Sequence, residues 1–197
     1  DECSMMKGAW PIEAQASGGR HYRSNTLDQN LDSYSVEYTY PDGTKLFYYG
    51  RAMDGCKGAF SSYALGTTGS AVISTNSHHP GKVRTYRGHN MNRESLIWRV
   101  PQPEPSPYQL EWDDLIAAIR NDEPYNEAKR GSIGSMVTSM GRMAAHTGQV
   151  VTFDDMLNCK HEFAPDVDKL TEDSVGPVRL NGDGKYPQPQ PGILKDR

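Results

Sequence analysis

The hydrophobic period of this chain changes once, at a proline-rich segment, and that change limits the folds available to it. Residues 101–107 read Pro-Gln-Pro-Glu-Pro-Ser-Pro, which forms a stiff and extended connector. Before this connector, apolar and polar residues alternate with the period of a β-strand; after it, apolar residues recur every three or four positions, as in a helix. A run of strands followed by a run of helices predicts an α+β domain.

The clearest strand pattern lies at residues 33–40, where large apolar side chains alternate with small or polar ones. A Pro-Asp-Gly-Thr turn follows at residues 41–44, and residues 45–49 form the return strand of a predicted hairpin. Short strands at 62–65, 71–74, 83–86 and 96–100 extend the prediction to an antiparallel meander. The apolar face of the first strand consists of Tyr34, Val36, Tyr38 and Tyr40.

Four helical segments are predicted around these strands. Residues 1–10 read as the end of a helix that Gly8 terminates, and residues 112–119 place apolar side chains on one helical face. A second long helix carries small residues opposite its apolar positions and ends at Gly148, so it can approach a sheet or another helix closely. Thr152 with Asp155 predicts the start of a short last helix.

Together these elements predict an open, mostly antiparallel β-sheet with helices packed on one face, plus a Pro/Gly-rich C-terminal tail. We assign residues 1–163 to the domain and residues 164–197 to an extended tail packed on it. The second face of the sheet is a candidate interface, because Tyr and Trp are favoured where an apolar surface has a polar rim.

Composition excludes several classes of function. A formal charge of −4 argues against a nucleic-acid partner, since phosphate binding needs clustered positive charge. No apolar run approaches the roughly 20 residues that span a bilayer, and no signal peptide is visible. Because the chain opens with Asp1, the sequence leaves open whether the protein is cytoplasmic or exported to a periplasm. The three cysteines form neither a disulfide framework nor a zinc motif.

The run Gly-Gly-Arg-His-Tyr-Arg at residues 18–23 is the strongest candidate for ligand contact. Arginine offers a planar fork of donors to carboxylates or sugar hydroxyls, and histidine exchanges protons near neutral pH. Equally, this run can be a basic loop whose arginines pair with nearby acids such as Asp28 or Asp32. Arg51, at a strand end, either reaches into a cleft or pairs with a neighbouring acid. The candidate substrate-binding residues are Arg20, His21, Tyr22 and Arg51.

Other residues have weaker grounds for a functional role. His78, His79 and His89 match no zinc spacing and are assigned to a solvated loop, so no metal site is predicted. We expect Arg142 to be partly buried and to form a structural salt bridge. The sequence contains no GxGxxG fingerprint, no Walker motif and no GxSxG elbow, so no cofactor-binding residue and no complete catalytic set are predicted within it.

Three segments resemble the carboxy-terminal domain of the Gfo/Idh/MocA oxidoreductases, and in particular a bacterial subgroup. These are residues 108–121, residues 124–131, and the run Met-Gly-Arg-Met-Ala-Ala-His-Thr-Gly-Gln-Val-Val-Thr-Phe-Asp-Asp at 140–155, which is the most specific. The hairpin at 34–47, the Gly-Thr-Thr-Gly-Ser run at 66–70 and the Pro-Asp-Val-Asp-Lys run at 165–169 are also similar to that family.

The resemblance implies a two-domain enzyme. A Rossmann domain binds NAD or NADP, and the α+β domain contributes substrate contacts and usually a homodimer interface through its open sheet. The family's Glu-Lys-Pro lysine belongs to the other domain. Asp1-Glu-Cys resembles the aspartate of the family's His-x-x-Asp pattern, so Asp1 is the only matched member of the catalytic motif.

These observations lead to the hypothesis of a substrate-binding and dimerisation domain, separated from the nucleotide-binding domain of a dehydrogenase for a sugar or cyclitol hydroxyl. By itself this domain is expected to be inactive. An alternative from another class is a carbohydrate-binding or scaffold module without redox activity. A hydrolase or lyase acting at the His/Arg run is a third possibility, although no nucleophile–base pair accompanies it.

Overall fold

The structure is a computed structural model that describes residues 1–21, 28–75, 82–162 and 164–195. Its helices are α1 (Glu2–Lys7), α2 (Pro107–Asn121), α3 (Ala128–Thr147) and α4 (Phe153–Leu157), with a short 3₁₀ turn at Val167–Lys169. Its strands are β1 (Glu13–Gly19), β2 (Ser33–Thr39), β3 (Lys45–Arg51), β4 (Ser62–Leu65), β5 (Gly69–Ser74), β6 (Arg84–Arg87), β7 (Leu96–Arg99) and β8 (Val151–Thr152).

The strands form two antiparallel four-stranded sheets, in place of the single continuous meander that the spacing of the strands suggested. Sheet A has the order β3-β2-β1-β8, and sheet B has the order β4-β5-β6-β7. The chain divides accordingly into two compact units: the sheet A unit (Ala9–Gly55 and Gly131–Arg197) and the sheet B unit (Asp1–Gly8 and Cys56–Arg130). The predicted α+β class with open antiparallel sheets is confirmed.

Sheet A is built around the predicted hairpin. β2 pairs with β3 from Ser33↔Arg51 to Thr39↔Lys45, and Gly43 takes the positive φ of 80° that the turn requires. The alternation of β2 places Val36 and Tyr38 in the core, with 3% and 7% of their surfaces exposed. β1, which the sequence analysis did not predict, pairs with the other edge of β2 and is therefore interior to the sheet.

Helix α3 packs on the inner face of sheet A through a glycine. A Cβ atom on Gly141 would lie 2.0 Å from the hydroxyl of Tyr38 and 3.2 Å from Val36, so the backbone of the helix approaches the sheet as closely as it can. Met140 and Ala144 flank this contact and are completely buried. The close approach predicted for the small residues of this helix is confirmed at Gly141.

The burial that this packing creates shifts the ionisation of Tyr38. Removal from water disfavours the charged phenolate and raises the pKa of Tyr38 to about 12, with a smaller contribution from Tyr48. Because the folded pKa lies above the ordinary value near 10, this contribution to stability is complete below pH 10 and is lost as the pH rises toward 12.

In the sheet B unit, a polar cluster holds α1. The carboxylate of Glu2 accepts a hydrogen bond from Ser62 Oγ and another, 3.0 Å long, from Ser74 Oγ. Ser74 is fully buried, and burial raises the pKa of the neighbouring Cys3 thiol despite its hydrogen bond with Ser62. Gly8 ends the helix in the left-handed conformation, as predicted.

Helix α2 forms where the sequence predicts it, but most of its apolar face is exposed. Trp112, Ile116 and Ile119 expose 61%, 39% and 65% of their surfaces, and Ala118 is the buried residue of the helix.

The expectation for Arg142 is wrong: its side chain lies on the exposed side of α3, one position beyond the buried Gly141, and so needs no buried acceptor. None of the helices in the described ranges combines the length and apolarity needed to cross a membrane.

The segment after residue 163 contacts the end of α3. Gly192 N donates to Thr147 O at 2.8 Å, and Gln29 Nε2 donates to Pro187 O at 3.1 Å. A Cβ on Gly148 would lie 3.0 Å from Gly192 N, so the glycine that ends the helix also leaves room for this segment. The division of the chain at residues 163 and 164 stays a prediction.

Candidate functional site

Three strand ends meet at one edge of sheet A, and they carry most of the predicted site residues. Gly19 at the end of β1 is paired with Ser33, and Ser33 is paired with Arg51 at the end of β3. Arg20 and His21 follow β1 directly. The structure therefore brings Arg20, His21 and Arg51 to the same end of the sheet, as proposed ligand contacts would require.

Asp32 holds this end of the sheet together. Its backbone N–H donates to Gly19 O and its carbonyl accepts from Ala52 N, both at 2.8 Å, so it bridges the chain beyond all three strands. Its side chain is 99% buried, and Oδ2 accepts a hydrogen bond from the backbone N–H of His21. The carboxylate thus fixes the backbone on which His21 is mounted.

Arg20 is a buried structural residue of the site. Its side chain is 8% exposed, and Nη1 donates to Asp28 Oδ1 at 2.9 Å. The same nitrogen lies 2.8 Å from the backbone carbonyl oxygens of Asp28 and of Asn30. The salt bridge to Asp28 that the second interpretation of the basic run expects is present, so Arg20 anchors the loop at 28–30. A ligand contact of Arg20 stays a prediction.

His21 and Arg51, in contrast, are exposed to solvent. The imidazole of His21 lies over Gly19, where a Cβ would stand 3.0 Å from Nε2. An exposed imidazole and an exposed guanidinium at adjoining strand ends offer hydrogen-bond donors to a polar ligand, and the imidazole can also accept. Tyr22 lies outside the described residues.

The two glycines before Arg20 allow close packing within the protein itself. Both belong to β1, and a Cβ on Gly18 would lie 2.6 Å from Leu31 and 2.7 Å from Ser33 O. The close approach that Gly18 permits is to the protein's own chain.

Behind this end of the sheet, Tyr34 contacts a histidine that the sequence analysis did not single out. Tyr34 Oη lies 3.1 Å from His146 Nε2 and accepts from Leu31 N at 3.2 Å. The two rings are stacked, with centroids 6.1 Å apart, and His146 is 3% exposed. The available signal was the spacing of three residues between His146 and Met143, which is one of the apolar positions of the helix.

The outer face of sheet A forms a second polar surface. Residues of three strands and the loop at 148–150 line a shallow groove of about 380 Å³. Phe47 and Tyr49 are 56% and 76% exposed there, among hydroxyl, amide and carboxylate groups. The Lys45 ammonium, 2.9 Å from Glu37, lowers the pKa of that carboxyl. The strand residues of the groove are Gln15, Ala16, Ser17, Ser35, Val36, Glu37, Phe47 and Tyr49.

Asp1 belongs to the sheet B unit. Its Oδ2 is 3.5 Å from Arg130 Nη1, and Arg130 also pairs with Glu127 at 2.9 Å. Of the histidines assigned to a solvated loop, His78 and His79 lie outside the described residues, and His89 Nε2 contacts Gly66 O at 2.8 Å. Within the ranges that the structure describes, no three potential metal ligands are grouped together.

No protein-family model and no curated protein matches this sequence. Solved structures do match in fold. Aldose-aldose oxidoreductase from Caulobacter crescentus, in complex with glycerol, matches 76% of this chain and 43% of its own, with a TM-score of 0.60 and 18% identity. A putative oxidoreductase from Thermotoga maritima matches over 76% and 42%, with a TM-score of 0.54 and 16% identity.

UDP-N-acetylglucosamine 3-dehydrogenase from Acidithiobacillus ferrooxidans matches over 72% of this chain and 43% of its own, with a TM-score of 0.51 and 15% identity. This chain therefore spans about two fifths of the length of these proteins. The resemblance to Gfo/Idh/MocA-type oxidoreductases is confirmed at the level of the fold, and the chain has the fold of one part of these enzymes.

Proposed function

We propose that this chain is the substrate-binding and dimer-forming part of a Gfo/Idh/MocA-type oxidoreductase that acts on a sugar or cyclitol hydroxyl with NAD or NADP. The observation that carries the proposal is the shared fold, which covers 76% of this chain and includes an aldose-aldose oxidoreductase among the similar structures. The polar end of sheet A supports it, since exposed imidazole and guanidinium groups suit a ligand rich in hydroxyls.

The nucleotide itself does not fit the residues present. Dinucleotides are held by glycine-rich turns at helix N-termini, and the 197-residue sequence contains no GxGxxG run. In this proposal the dinucleotide is bound outside these residues, in a part that corresponds to the unmatched three fifths of the similar proteins.

The substrate-contact roles are assigned to exposed groups. His21 and Arg51 donate to, or accept from, substrate hydroxyls, and Tyr22 is proposed as their neighbour in the same run. Arg20 acts through them: bound to Asp28, it holds the loop that follows β1. Asp1 is retained as the matched residue of the His-x-x-Asp pattern.

The homodimer interface is proposed on the outer face of sheet A. Phe47 and Tyr49 are large, exposed and surrounded by polar groups, which is the composition favoured at interfaces between proteins. Light scattering of the chain is expected to show a dimer, and Tyr49→Ala is expected to shift it toward monomer.

The division of labour is tested by titrating the 197-residue chain with NADH and with neutral sugars. Calorimetry is expected to show no NADH binding, because no phosphate loop is present, and weak sugar binding that His21→Ala reduces by about tenfold, the value of one or two hydrogen bonds. Lys45→Ala, at the opposite end of β3, is the control and should leave sugar binding unchanged. Tight NADH binding by this chain refutes the proposal.

The aromatic groove favours a second candidate, a carbohydrate-binding module without redox activity. Phe47 and Tyr49 beside hydroxyl and amide groups provide an apolar surface and hydrogen bonds for a sugar ring. This alternative predicts that Tyr49→Ala abolishes sugar binding while His21→Ala has no effect, which is the reverse of the leading proposal.

A further inference from the structure

Two arginines stand directly opposite each other in sheet B. Arg84 in β6 and Arg99 in β7 are register partners, so their side chains project from the same face of the sheet. Like charges at such positions repel and destabilise a strand pair. In the same register, Val72 in β5 is the partner of Arg84 on its other side.

Neither guanidinium is neutralised by the residues that the structure describes. Arg20 and Arg130 each have a carboxylate partner, whereas no ion pair with a described residue joins Arg84 or Arg99. Arg84 Nε is buried and has no hydrogen-bond partner. A buried donor of a charged group that lacks an acceptor destabilises the fold.

Glu104, the acidic residue that follows β7, does not supply the missing carboxylate partner. Glu104 Oε2 accepts a hydrogen bond from the backbone N–H of Lys82 at 2.8 Å. Its carboxylate is therefore engaged at the neighbouring turn.

The arginine pair lies between buried apolar residues on one side and an exposed strand edge on the other. Val72 and Tyr86, which share the face of Arg84, are 4% and 6% exposed. Arg84 is half-buried beside them, while Arg99 on the edge strand is exposed. An apolar surface strengthens charge interactions beside it, and the exposed edge leaves the second guanidinium accessible from solvent.

We propose that Arg84 and Arg99 form a binding site for the oxyanion group, carboxylate or phosphate, of a small ligand. Guanidinium groups bind both kinds of anion through paired N–H donors. One bound anion neutralises the paired guanidinium charges and removes the repulsion between the two strands. This site goes beyond the proposed oxidoreductase role and does not depend on it.

The test is calorimetric titration of the 197-residue chain at constant ionic strength with inorganic phosphate, acetate, glucose 6-phosphate and glucuronate. Neutral glucose is the control ligand. Saturable binding of at least one anion is expected, and the tighter class identifies whether phosphate or carboxylate is the natural group. Absence of saturable binding by all four anions overturns the proposal.

Three variants assign the site. Arg84→Gln and Arg99→Gln are each expected to weaken anion binding by about tenfold or more, because each removes charge-assisted hydrogen bonds. Arg87→Gln, with the same change of charge on the same strand but on the other face, is expected to change it less than about twofold. Equal weakening by Arg87→Gln contradicts a specific site.

Unfolding temperatures, measured with and without phosphate, show whether Arg84→Gln loses anion binding or loses the fold. In chloride alone, Arg84→Gln is expected to unfold at the same temperature as the parent or a higher one, since it removes a repulsive charge. Phosphate is expected to raise the unfolding temperature of the parent and not of Arg84→Gln. A variant that loses stability in chloride, and still responds to phosphate, counts against the proposal.

Discussion

The two sheets have the same number of strands, yet they are stabilised differently. Sheet A is covered by α3, and its core consists of apolar side chains such as Val36, Tyr38 and Met140. In the sheet B unit, buried apolar residues are fewer, and the interior includes Ser70, Ser74 and the hydroxyl-bound carboxylate of Glu2. The comparison shows that an antiparallel sheet forms with either kind of interior; in the sheet B unit, the buried hydroxyls of Ser70 and Ser74 are both hydrogen-bonded.

The two units also differ in how many large apolar side chains they leave exposed to solvent. Large apolar side chains on β4, β7 and α2 expose half of their surface or more, although these segments are regular strands and a regular helix. Burying such surface contributes about 25 cal/mol per Å², so this unit forgoes much of the stabilisation that the sheet A unit obtains. The side chains concerned are Tyr63, Leu65, Ile97, Trp98, Trp112 and Ile119.

The largest test of this contrast is the deletion of core volume. Met140→Ala removes a completely buried side chain from the sheet A core and is expected to lower the free energy of unfolding by about 2–5 kcal/mol. Ile119→Ala, on the exposed face of α2, is expected to change it by less than about 0.5 kcal/mol. Urea denaturation measures both, and similar losses contradict the difference between the units.

A smaller effect is expected from filling the helix–sheet contact. Gly141→Ala places a Cβ 2.0 Å from the Tyr38 hydroxyl, and the resulting displacement should cost about 1–3 kcal/mol. Gly134→Ala on the same helix meets only Trp10, at 3.7 Å, and is expected to stabilise the protein by up to about 1 kcal/mol. Comparing the thermal unfolding of the two variants separates the contact of Gly141 with Tyr38 from the helix propensity of alanine. Equal effects of the two substitutions would rule this contact out.

The polar interior of the sheet B unit is tested at Glu2. Glu2→Ala leaves the hydroxyls of Ser62 and Ser74 without their acceptor and is expected to cost about 1–2 kcal/mol. Glu2→Gln retains an acceptor oxygen and should lose less than half as much. If both variants unfold like the parent in urea, the cluster does not stabilise this unit.

The smallest expected effect concerns helix starts. Thr152 and Asp155 form a reciprocal capping box at α4, and Thr152→Ala is expected to cost about 1 kcal/mol. Ser106, before α2, makes no side-chain cap hydrogen bond, so Ser106→Ala should cost less. Urea denaturation compares the two, and a larger loss at Ser106 reverses the comparison.

The same cap has a pH dependence. Hydrogen bonds from the Thr152 hydroxyl and backbone N–H lower the pKa of Asp155 below its ordinary value. Its stabilising contribution is therefore present above that ordinary value and is lost as the pH falls through the lowered one. An NMR titration should show a low midpoint for Asp155 that rises in Thr152→Ala; an unchanged midpoint contradicts the assignment.

Local signals were sufficient for several elements. The glycine at the end of α1, the Pro-Asp-Gly turn between β2 and β3, and the capping box at α4 act within a few residues, and each lies where the sequence predicts it. The alternation of β2 identified its buried face because the period of a strand is fixed by backbone geometry. At the candidate site, Arg20 was found from the sequence, but the choice between ligand contact and salt bridge was not.

Elements that depend on distant partners were missed. β1 reads Glu-Ala-Gln-Ala-Ser-Gly-Gly, which lacks the β-branched and aromatic residues typical of strands. Ala14 is extended there because β2 and β8 pair with its two edges, and Ala16 is extended because it pairs with Val36 of β2. The proximity of His146 to Tyr34, 112 positions apart, is likewise a product of packing.

The sequence by itself determined the class of the fold, the order of most elements and the buried face of β2, because those properties follow from backbone periodicity and short-range turns and caps. Only the tertiary structure decided that the strands divide into two sheets, that Arg20 is buried against Asp28 while Arg142 is exposed, and that most of the apolar face of α2 is exposed. Those outcomes depend on long-range pairing and on competition for burial, and neither is encoded in the spacing of neighbouring residues.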